Sequence, residues 1–450
     1  MRRLGRLRRP PTRTLDWRFA AALVLVLGCF VARQAMTSAA ASGTQIDADF
    51  DAFWAAATPE QAAAVADRLV RDGIDFDAAF ARLRAGRRYV PAPAGFVDAP
   101  IAIDGGEPFP DTIEIPSGYD PAKRWPVRVQ LHGGIGREES RPERGPNRIA
   151  GEPQIYLYPA ARANAPWWHG SQVRNVLALL DRAKRAYNVD ESRVYLTGVS
   201  DGGTGVWFFA MREATPFAAF LPLIGDPGVL ANRGTHPDGQ LYPSNTVSRP
   251  IFVVNAKDDP LYPVDAIRPW IVMFKSAGAD VTFRPQDCCG HDVRWWSSVR
   301  PEYEAFVHAH PRAPYPDRLS WETDRTDRYN RLAWLVIDEL GSTRLDMNLR
   351  DEDMAGDDEA YVRNGPSGRV DVERYGNSVK TFTRGVKQFT LLLSPDVFDF
   401  RKVVTVTVDG RTAFSGVVKK DVRTLMKWAA RDNDRTMLFG AEISVSVPAR

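Results

Sequence analysis

The chain has little cysteine and little histidine. Its 450 residues include three cysteines and six histidines. Cys29 lies near the amino terminus, and the other two, Cys288 and Cys289, are adjacent. Two cysteines with one nearby histidine, His291, lack the fourth ligand of a structural zinc site. We therefore expect no metal and no cofactor. An adjacent pair can close a disulfide ring, but packing beside a site is the default expectation.

The sequence also lacks an apolar run of full membrane-spanning length. Residues 1–41 hold eight arginines and one aspartate, and the 14 residues from Phe19 to Ala32 are uncharged, which is short for a bilayer of about 30 Å. Small residues follow at 38–42. This arrangement is typical of a secretory signal. We expect export to the periplasm or the extracellular space, with an uncleaved membrane anchor over residues 19–32 as the alternative.

No basic patch with interleaved aromatic residues is present. The net charge of +3 comes from the arginines of residues 1–41, so the remainder of the chain is slightly acidic. The sequence therefore predicts no nucleic-acid partner. The hydrophobic content of 44% is that of a globular protein, and the length exceeds that of one compact domain. The oligomeric state stays open.

One pentapeptide predicts a nucleophile. The run Gly198-Val199-Ser200-Asp201-Gly202 follows a β-branched and aromatic stretch, Arg193 to Thr197, and precedes a helical stretch, Thr204 to Arg212. A G-x-S-x-G between a strand and a helix makes a sharp turn that exposes the serine hydroxyl above the end of a sheet. A serine hydroxyl is a weak nucleophile at neutral pH and needs an adjacent base, which in turn needs an orienting carboxylate.

Candidates for that carboxylate and that base follow two later strands. Asp258 and Asp259 come after an apolar run, 250–255, and His291 comes shortly after the strand pattern at 281–284. The carboxyl ends of parallel strands gather catalytic groups at one edge of a sheet. We predict Ser200 as nucleophile, His291 as base and Asp259, in preference to Asp258, as the orienting acid.

A glycine turn before the nucleophile supplies a candidate oxyanion hole. The strand pattern Val127 to Leu131 leads into His132-Gly133-Gly134. Backbone N–H groups at such a turn stabilise the negative charge that develops on a carbonyl oxygen during acyl transfer. We predict the N–H groups of Gly134 and Asp201 as the two donors; an ordinary glycine-rich strand exit is the alternative.

These motifs together resemble a known family. The stretches 131–134, 190–203, 259–263 and 290–292 lie in a region, Trp125 to His310, that is similar to α/β-hydrolases. It most resembles secreted bacterial esterases of the feruloyl esterase, acetylxylan esterase and polyhydroxyalkanoate depolymerase type. The resemblance implies a mostly parallel sheet flanked by helices and hydrolysis of carboxylic esters through an acyl-enzyme. Asp201 departs from the pattern, since such enzymes often carry an uncharged residue there.

The rest of the chain predicts additional segments around this α/β core. A capping pattern at Thr58-Pro59-Glu60-Gln61 begins an apolar-striped helix that we expect to dock on the hydrolase body. A further helix is expected within Trp321 to Leu340, and an Asp409-Gly410 turn predicts a hairpin. The predicted domains are a leader at 1–41, a helical segment at 42–94, an α/β-hydrolase domain at 95–312, a helix and connecting segment at 313–378, and a small β domain at 379–450.

Aromatic residues and one irregular loop indicate the kind of substrate. Trp167, Trp168 and Trp295 are candidates for lining a cleft, although core packing is the alternative for such residues. The irregular span Asp226 to Arg249 is too short for a large helical cap. This favours an open cleft that a polymer-borne ester can reach.

Two other functions remain open from the sequence. A serine peptidase of the prolyl-oligopeptidase type has the same residue order, but only about 90 residues precede the hydrolase region here. The second alternative is a non-catalytic binding protein on a hydrolase scaffold, with the β domain either binding polymer or acting as a structural cover.

Overall fold

The computed structural model describes residues 45–134, 139–140, 149–162, 165–341, 361 and 365–448. The predicted leader at 1–41 and the alternative anchor at 19–32 lie outside these residues. No helix within the described ranges is both long and apolar enough to cross a membrane.

A mostly parallel sheet of eight strands forms the centre of the molecule. Its strands, in chain order, are β1 (Gly95–Asp98), β2 (Thr112–Ile115), β3 (Trp125–Leu131), β4 (Ile155–Tyr158), β5 (Val189–Val199), β6 (Ala219–Leu223), β7 (Ile251–Ala256) and β8 (Val281–Gln286). They are arranged as β1-β2-β4-β3-β5-β6-β7-β8. Strand β2 runs antiparallel to both neighbours, and all other neighbouring pairs are parallel.

Helices cover both faces of this sheet. They are α4 (Gly170–Ala186), α5 (Asp201–Arg212), α6 (Gly228–Ala231), α7 (Val264–Ser276) and α8 (Trp296–Ala309). Side chains of one strand alternate between the two faces: Leu196 joins the core beneath α4, α5 and α7, while Tyr195 joins the core beneath α8. Short 3₁₀ helices lie at Arg233–Thr235 and Pro243–Ser248, and a two-stranded pair joins Glu139–Ser140 to Ala161–Arg162.

A buried ion pair fastens α8 to the sheet. Arg128 Nη1 and Nη2 on β3 donate to Glu304 Oε1 and Oε2 at 2.9 and 3.0 Å. The Arg128 side chain is completely buried. Because such a fork-to-fork contact satisfies both charges away from water, removing either partner leaves a buried charge unpaired.

The amino-terminal helices pack mainly against the carboxyl-terminal region. These are α1 over residues 45–55, α2 (Pro59–Arg71) and α3 (Phe76–Ala85). Thr58 caps α2 as predicted, its Oγ1 accepting from Gln61 N at 3.3 Å. Leu69 and Leu83 share a core with Leu425 and Met426 of α9 (Val422–Asp432). The expectation that these apolar faces dock on the hydrolase body is therefore wrong.

The β region begins well before residue 379. Its strands are β9 (Arg318–Thr323), β10 (Arg331–Leu332), β11 (Leu335–Leu340), β12 (Gly368–Tyr375), β13 (Ser378–Arg384), β14 (Val386–Leu393), β15 (Val403–Val408), β16 (Arg411–Val417) and β17 (Ala441–Ser446). They form two sheets, β9-β12-β13-β15-β16 and β10-β11-β14-β17. The helix predicted within 321–340 is wrong, because Trp321 pairs with Val370 and Leu335 with Leu391 in strands. The predicted boundary at 313–378 is corrected accordingly.

Candidate functional site

Ser200 sits at a strained turn between β5 and α5. Its backbone has φ 57° and ψ −121°, a region that costs a non-glycine residue about 1–3 kcal/mol. Its N–H donates to Leu223 O at 3.0 Å, which holds the turn against β6. Gly133 packs so closely that a Cβ built there would lie 2.9 Å from the Cβ of Ser200. These close approaches explain the glycines around the exposed hydroxyl.

The three side chains predicted to converge do so. Ser200 Oγ lies 2.7 Å from His291 Nε2, and His291 Nδ1 lies 2.8 Å from Asp259 Oδ2. The carboxylate is fully buried, whereas the imidazole remains 21% exposed. The result is a continuous chain of hydrogen bonds from a buried carboxylate to the hydroxyl of Ser200, a half-buried residue.

The two adjacent aspartates have different partners. Asp259 Oδ1 accepts from the N–H groups of Leu261 and Tyr262 at 2.8 and 3.0 Å, which leaves Oδ2 for His291. Asp258 Oδ1 instead accepts from Gly290 N at 2.9 Å. The structure thus places Asp259, not Asp258, against the imidazole.

Tyr262 is a residue near the site that the sequence reasoning missed. Its ring meets the His291 ring edge to face, with 5.4 Å between centroids. Burial, followed by the carboxylates of Asp201, Asp226 and Asp259, raises the pKa of Tyr262 to about 12. The phenol is therefore neutral near pH 7 and lies among negative charges. Its place three residues after Asp259 on the same turn is the signal that could have identified it.

One predicted oxyanion donor, the N–H of Gly134, contacts the side chain of Asp201, the residue that carries the other donor. Gly134 N donates to Asp201 Oδ2 at 3.1 Å. Asp201 is the first residue of α5, where a carboxylate is favoured by the helix dipole. Gly134 N–H can therefore serve an oxyanion only after the Asp201 carboxylate gives way.

Trp167 supports the glycine turn from below. Its side chain is fully buried, and its Nε1 donates to His132 O at 2.9 Å. The His132 ring bridges the same turn: Nδ1 lies 3.0 Å from Gly133 O, and Nε2 accepts from Ala161 N at 3.3 Å. Trp167 therefore does not line a cleft as predicted; it holds the backbone that leads to Gly134.

The other two tryptophans that we predicted to line a cleft are also core residues. Trp168 and Trp295 are each 3% exposed. Trp168 Nε1 donates to Thr235 O at 2.9 Å, and Trp295 packs in the core beneath α8 with Tyr303 and Phe306. The expectation that they line a substrate cleft is corrected for both, because their indoles are sequestered from solvent.

The adjacent cysteines form a disulfide. Cys288 and Cys289 are bonded to each other, so packing as free thiols, the default expectation, is wrong. Within the described residues, no group of three or more His, Cys, Asp or Glu side chains is placed to hold a metal ion.

A buried carboxyl group lies beneath the loop that contacts His132. Asp111 Oδ1 accepts from Ala160 N at 2.7 Å and from Asn175 Nδ2 at 3.0 Å. Burial outweighs these hydrogen bonds and raises the pKa of Asp111 to about 7. The carboxyl group thus titrates near neutral pH and is bonded to Ala160, the residue before Ala161, whose N–H donates to the His132 ring.

Comparisons with known proteins give structural likenesses only. No family model and no curated protein matches the sequence. Among solved structures, a thermostable esterase is 20% identical over 48% of this chain and 63% of its own, with a TM-score of 0.39. A ferulic acid esterase is 16% identical over 48% of this chain and 98% of its own, with a TM-score of 0.38. The acylaminoacyl peptidase of Pyrococcus horikoshii is 15% identical over 48% of this chain and 41% of its own, with a TM-score of 0.36.

The fold assignment therefore depends on the sheet itself. The strand order β1-β2-β4-β3-β5-β6-β7-β8, the single antiparallel strand β2 and the helices on both faces agree with the predicted architecture. Ser200 follows β5, Asp259 follows β7 and His291 follows β8, all at the carboxyl edge of the sheet. The central region of this chain has the α/β-hydrolase fold.

Proposed function

We propose that the protein is an exported serine hydrolase that cleaves carboxylic esters through an acyl-enzyme intermediate. The observation that carries the proposal is the hydrogen-bond chain from Ser200 Oγ through His291 to Asp259, at 2.7 and 2.8 Å. A nucleophile, a base and an orienting acid within hydrogen-bond reach of one another are what acyl transfer needs.

In this mechanism Ser200 Oγ attacks the carbonyl carbon of the ester. His291 Nε2 takes the hydroxyl proton as the bond forms, and the resulting imidazolium is stabilised by Asp259 Oδ2 at Nδ1. Collapse of the tetrahedral intermediate breaks the bond to the alcohol oxygen, which receives the proton from Nε2. Water then repeats the sequence on the acyl-enzyme, releasing the acid and restoring Ser200.

The oxyanion is received by the N–H groups of Gly134 and Asp201. Each such donor is worth about 3–4 kcal/mol of transition-state stabilisation. Because Gly134 N–H is bonded to the Asp201 carboxylate before substrate binds, the incoming carbonyl oxygen has to displace that carboxylate. The negative charges of Asp201, Asp226 and Asp259 around Tyr262 favour neutral esters over anionic ones.

Export and a polymer-borne substrate are part of the same proposal. The arginine-rich start and apolar run of residues 1–41 support export. The disulfide agrees with export, because disulfides form and persist in oxidising compartments. Between β6 and β7, the described residues form only short helices, α6 and two 3₁₀ turns. A substrate attached to a polymer would meet no large cap from this segment.

The test compares wild type with Ser200→Ala on p-nitrophenyl acetate, feruloyl esters and longer acyl esters. The matched control is Ser276→Ala, because Ser276 is exposed at the end of α7. We expect Ser200→Ala to lose hydrolysis while keeping the wild-type thermal unfolding, and Ser276→Ala to keep both. Undiminished ester hydrolysis by folded Ser200→Ala would refute the proposal, and amide cleavage faster than ester cleavage would refute its substrate class.

A further inference from the structure

A disulfide lies in the turn that presents the proposed base. Cys288 and Cys289 are bonded to each other, and only Gly290 separates Cys289 from His291. Cys288 is exposed, and Cys289 is half-buried. The remaining cysteine of the chain is Cys29. The disulfide is thus a short-range constraint within the segment that has to place His291.

The turn is tied at both ends to the segment that carries the proposed acid. Lys257 N donates to Gln286 O at 2.8 Å, and Gly290 N donates to Asp258 Oδ1 at 2.9 Å. Lys257 and Asp258 immediately precede Asp259. The loop that carries Asp259 is therefore hydrogen-bonded to the loop that carries His291 both before and after the disulfide. The disulfide restricts the residues between these two hydrogen bonds.

The backbone inside the turn has an uncommon conformation. Cys289 has φ 92° and Gly290 has φ 60°, and a positive φ is uncommon for a residue with a Cβ. Bonding adjacent side chains into a ring restricts the backbone torsions of both residues. Without the bond, Cys289 is free to take a negative φ, and that change redirects the chain leading to His291.

Cys289 packs against the core beneath α8. Val199, the residue before Ser200, and Val293 pack against the same core. Arg294 Nη2 donates to Cys289 O at 3.2 Å. Cys289 is therefore held by the core beneath α8 and by a hydrogen bond from Arg294, three residues after His291.

We propose that the Cys288–Cys289 disulfide is a positioning element that holds His291 between Ser200 and Asp259, and that its reduction by an external dithiol reversibly disables the hydrolase. The inference rests on the proposed function. The rate of hydrolysis then depends on whether the surroundings keep this disulfide oxidised. The protein with the disulfide is active, and the protein with two free thiols is not.

The redox step balances with a dithiol as the reductant. Its thiolate attacks the Sγ of Cys288, the more exposed of the two cysteines; the S–S bond breaks, and Cys289 leaves as a thiolate that takes up a proton. The second thiol of the reagent then attacks the mixed disulfide. The products are two cysteine thiols and one oxidised dithiol, with two electrons and two protons transferred. A small disulfide such as oxidised glutathione drives the reverse reaction.

The test uses the full chain, reduced with dithiothreitol and freed of reagent by anaerobic gel filtration. Since a misplacement of about 1 Å can cost about 100-fold in rate, we expect kcat for p-nitrophenyl acetate to fall by about that factor. KM should stay within about twofold, and oxidised glutathione should restore kcat. Hydrogen exchange over residues 287–294 should rise on reduction while thermal unfolding of the protein is kept. An unchanged kcat with both thiols shown free by mass would overturn the inference.

Variants separate the disulfide from general effects of the reagent. The double variant Cys288→Ser/Cys289→Ser should resemble the reduced protein and ignore dithiothreitol, whereas Cys29→Ser should remain active and sensitive. Full activity in the folded double variant would overturn the positioning role. If reduction has no effect on an active hydrolase, only this inference fails. If the oxidised protein hydrolyses no ester and does not react with fluorophosphonates, the proposed function is wrong, and the inference, which rests on it, is wrong as well.

Discussion

Replacing Asp259 by asparagine tests the hydrogen-bond chain with a change of one atom. In wild type, Asp259 Oδ1 accepts from the N–H groups of Leu261 and Tyr262, and Oδ2 accepts from His291 Nδ1. The two backbone donors hold the amide oxygen of an asparagine in the Oδ1 position. Its NH₂ group then faces Nδ1, which has to become the acceptor.

That reversal places the ring proton on the wrong nitrogen. With Nδ1 unprotonated, the neutral ring carries its proton on Nε2, where it points at Ser200 Oγ, 2.7 Å away. The imidazole can no longer accept the serine proton. We expect kcat to fall by about 1,000- to 10,000-fold, which corresponds to about 4–5 kcal/mol in the activation free energy.

The assay is steady-state hydrolysis of p-nitrophenyl acetate by Asp259→Asn from pH 5 to 10, beside Asp258→Asn as the matched control. The control amide oxygen can still accept from Gly290 N, so its kcat should stay within about threefold of wild type. Thermal unfolding should be similar in both variants. A folded Asp259→Asn protein with kcat within about tenfold of wild type would contradict the orienting role of Asp259, as would an equal loss in Asp258→Asn.

Three further predictions concern charge and stability. Asp201→Asn removes a negative charge beside the Gly134 donor; we expect kcat/KM for a carboxylate-bearing ester to gain about fivefold over that for a neutral ester of equal length, and equal gains would contradict this. Because burial raises the pKa of Asp111 to about 7, its contribution to folding is fully present below about pH 4 and is lost as the pH rises to about 7, by about 4 kcal/mol at most. Urea unfolding should show a shallower fall of stability over that pH range in Asp111→Asn, and a slope like that of wild type would be evidence against this titration. Glu304→Ala leaves the guanidinium of Arg128 buried without its partner and should lower the free energy of urea unfolding by about 3–5 kcal/mol; a loss below about 1 kcal/mol would contradict the role of this ion pair.

Short-range patterns were sufficient for much of the α/β core. The apolar residues and glycines around Ser200 predict a strand, a tight turn and a helix. These three elements depend mainly on residues that are close in sequence. The chain order of Ser200, Asp259 and His291 was informative because consecutive parallel strands end at one edge of a sheet. The N-cap at Thr58 was predictable for the same local reason.

Features set by distant partners were not predictable. The segment containing Trp321 and Leu335 forms strands because its pairing partners, Val370 and Leu391, lie 49 and 56 residues further along the chain. Local periodicity carries no information about such partners. Leu69 likewise packs on α9, at the other end of the chain.

Side-chain roles at the site were the hardest to predict. The sequence around Trp167 is compatible with a cleft residue, but its indole N–H donates to His132 O at the glycine turn. The contact between Gly134 and the Asp201 carboxylate joins residues 67 positions apart. Whether Cys288 and Cys289 close a ring depends on backbone torsions that composition does not encode.

Reaction with a fluorophosphonate, followed by peptide mapping, tests directly whether Ser200 is an activated nucleophile. We expect one phosphonyl group per chain, on Ser200, and much slower labelling in His291→Ala. Modification at another residue, or a folded wild-type protein that takes up no label, would contradict the assignment of Ser200 as an activated nucleophile.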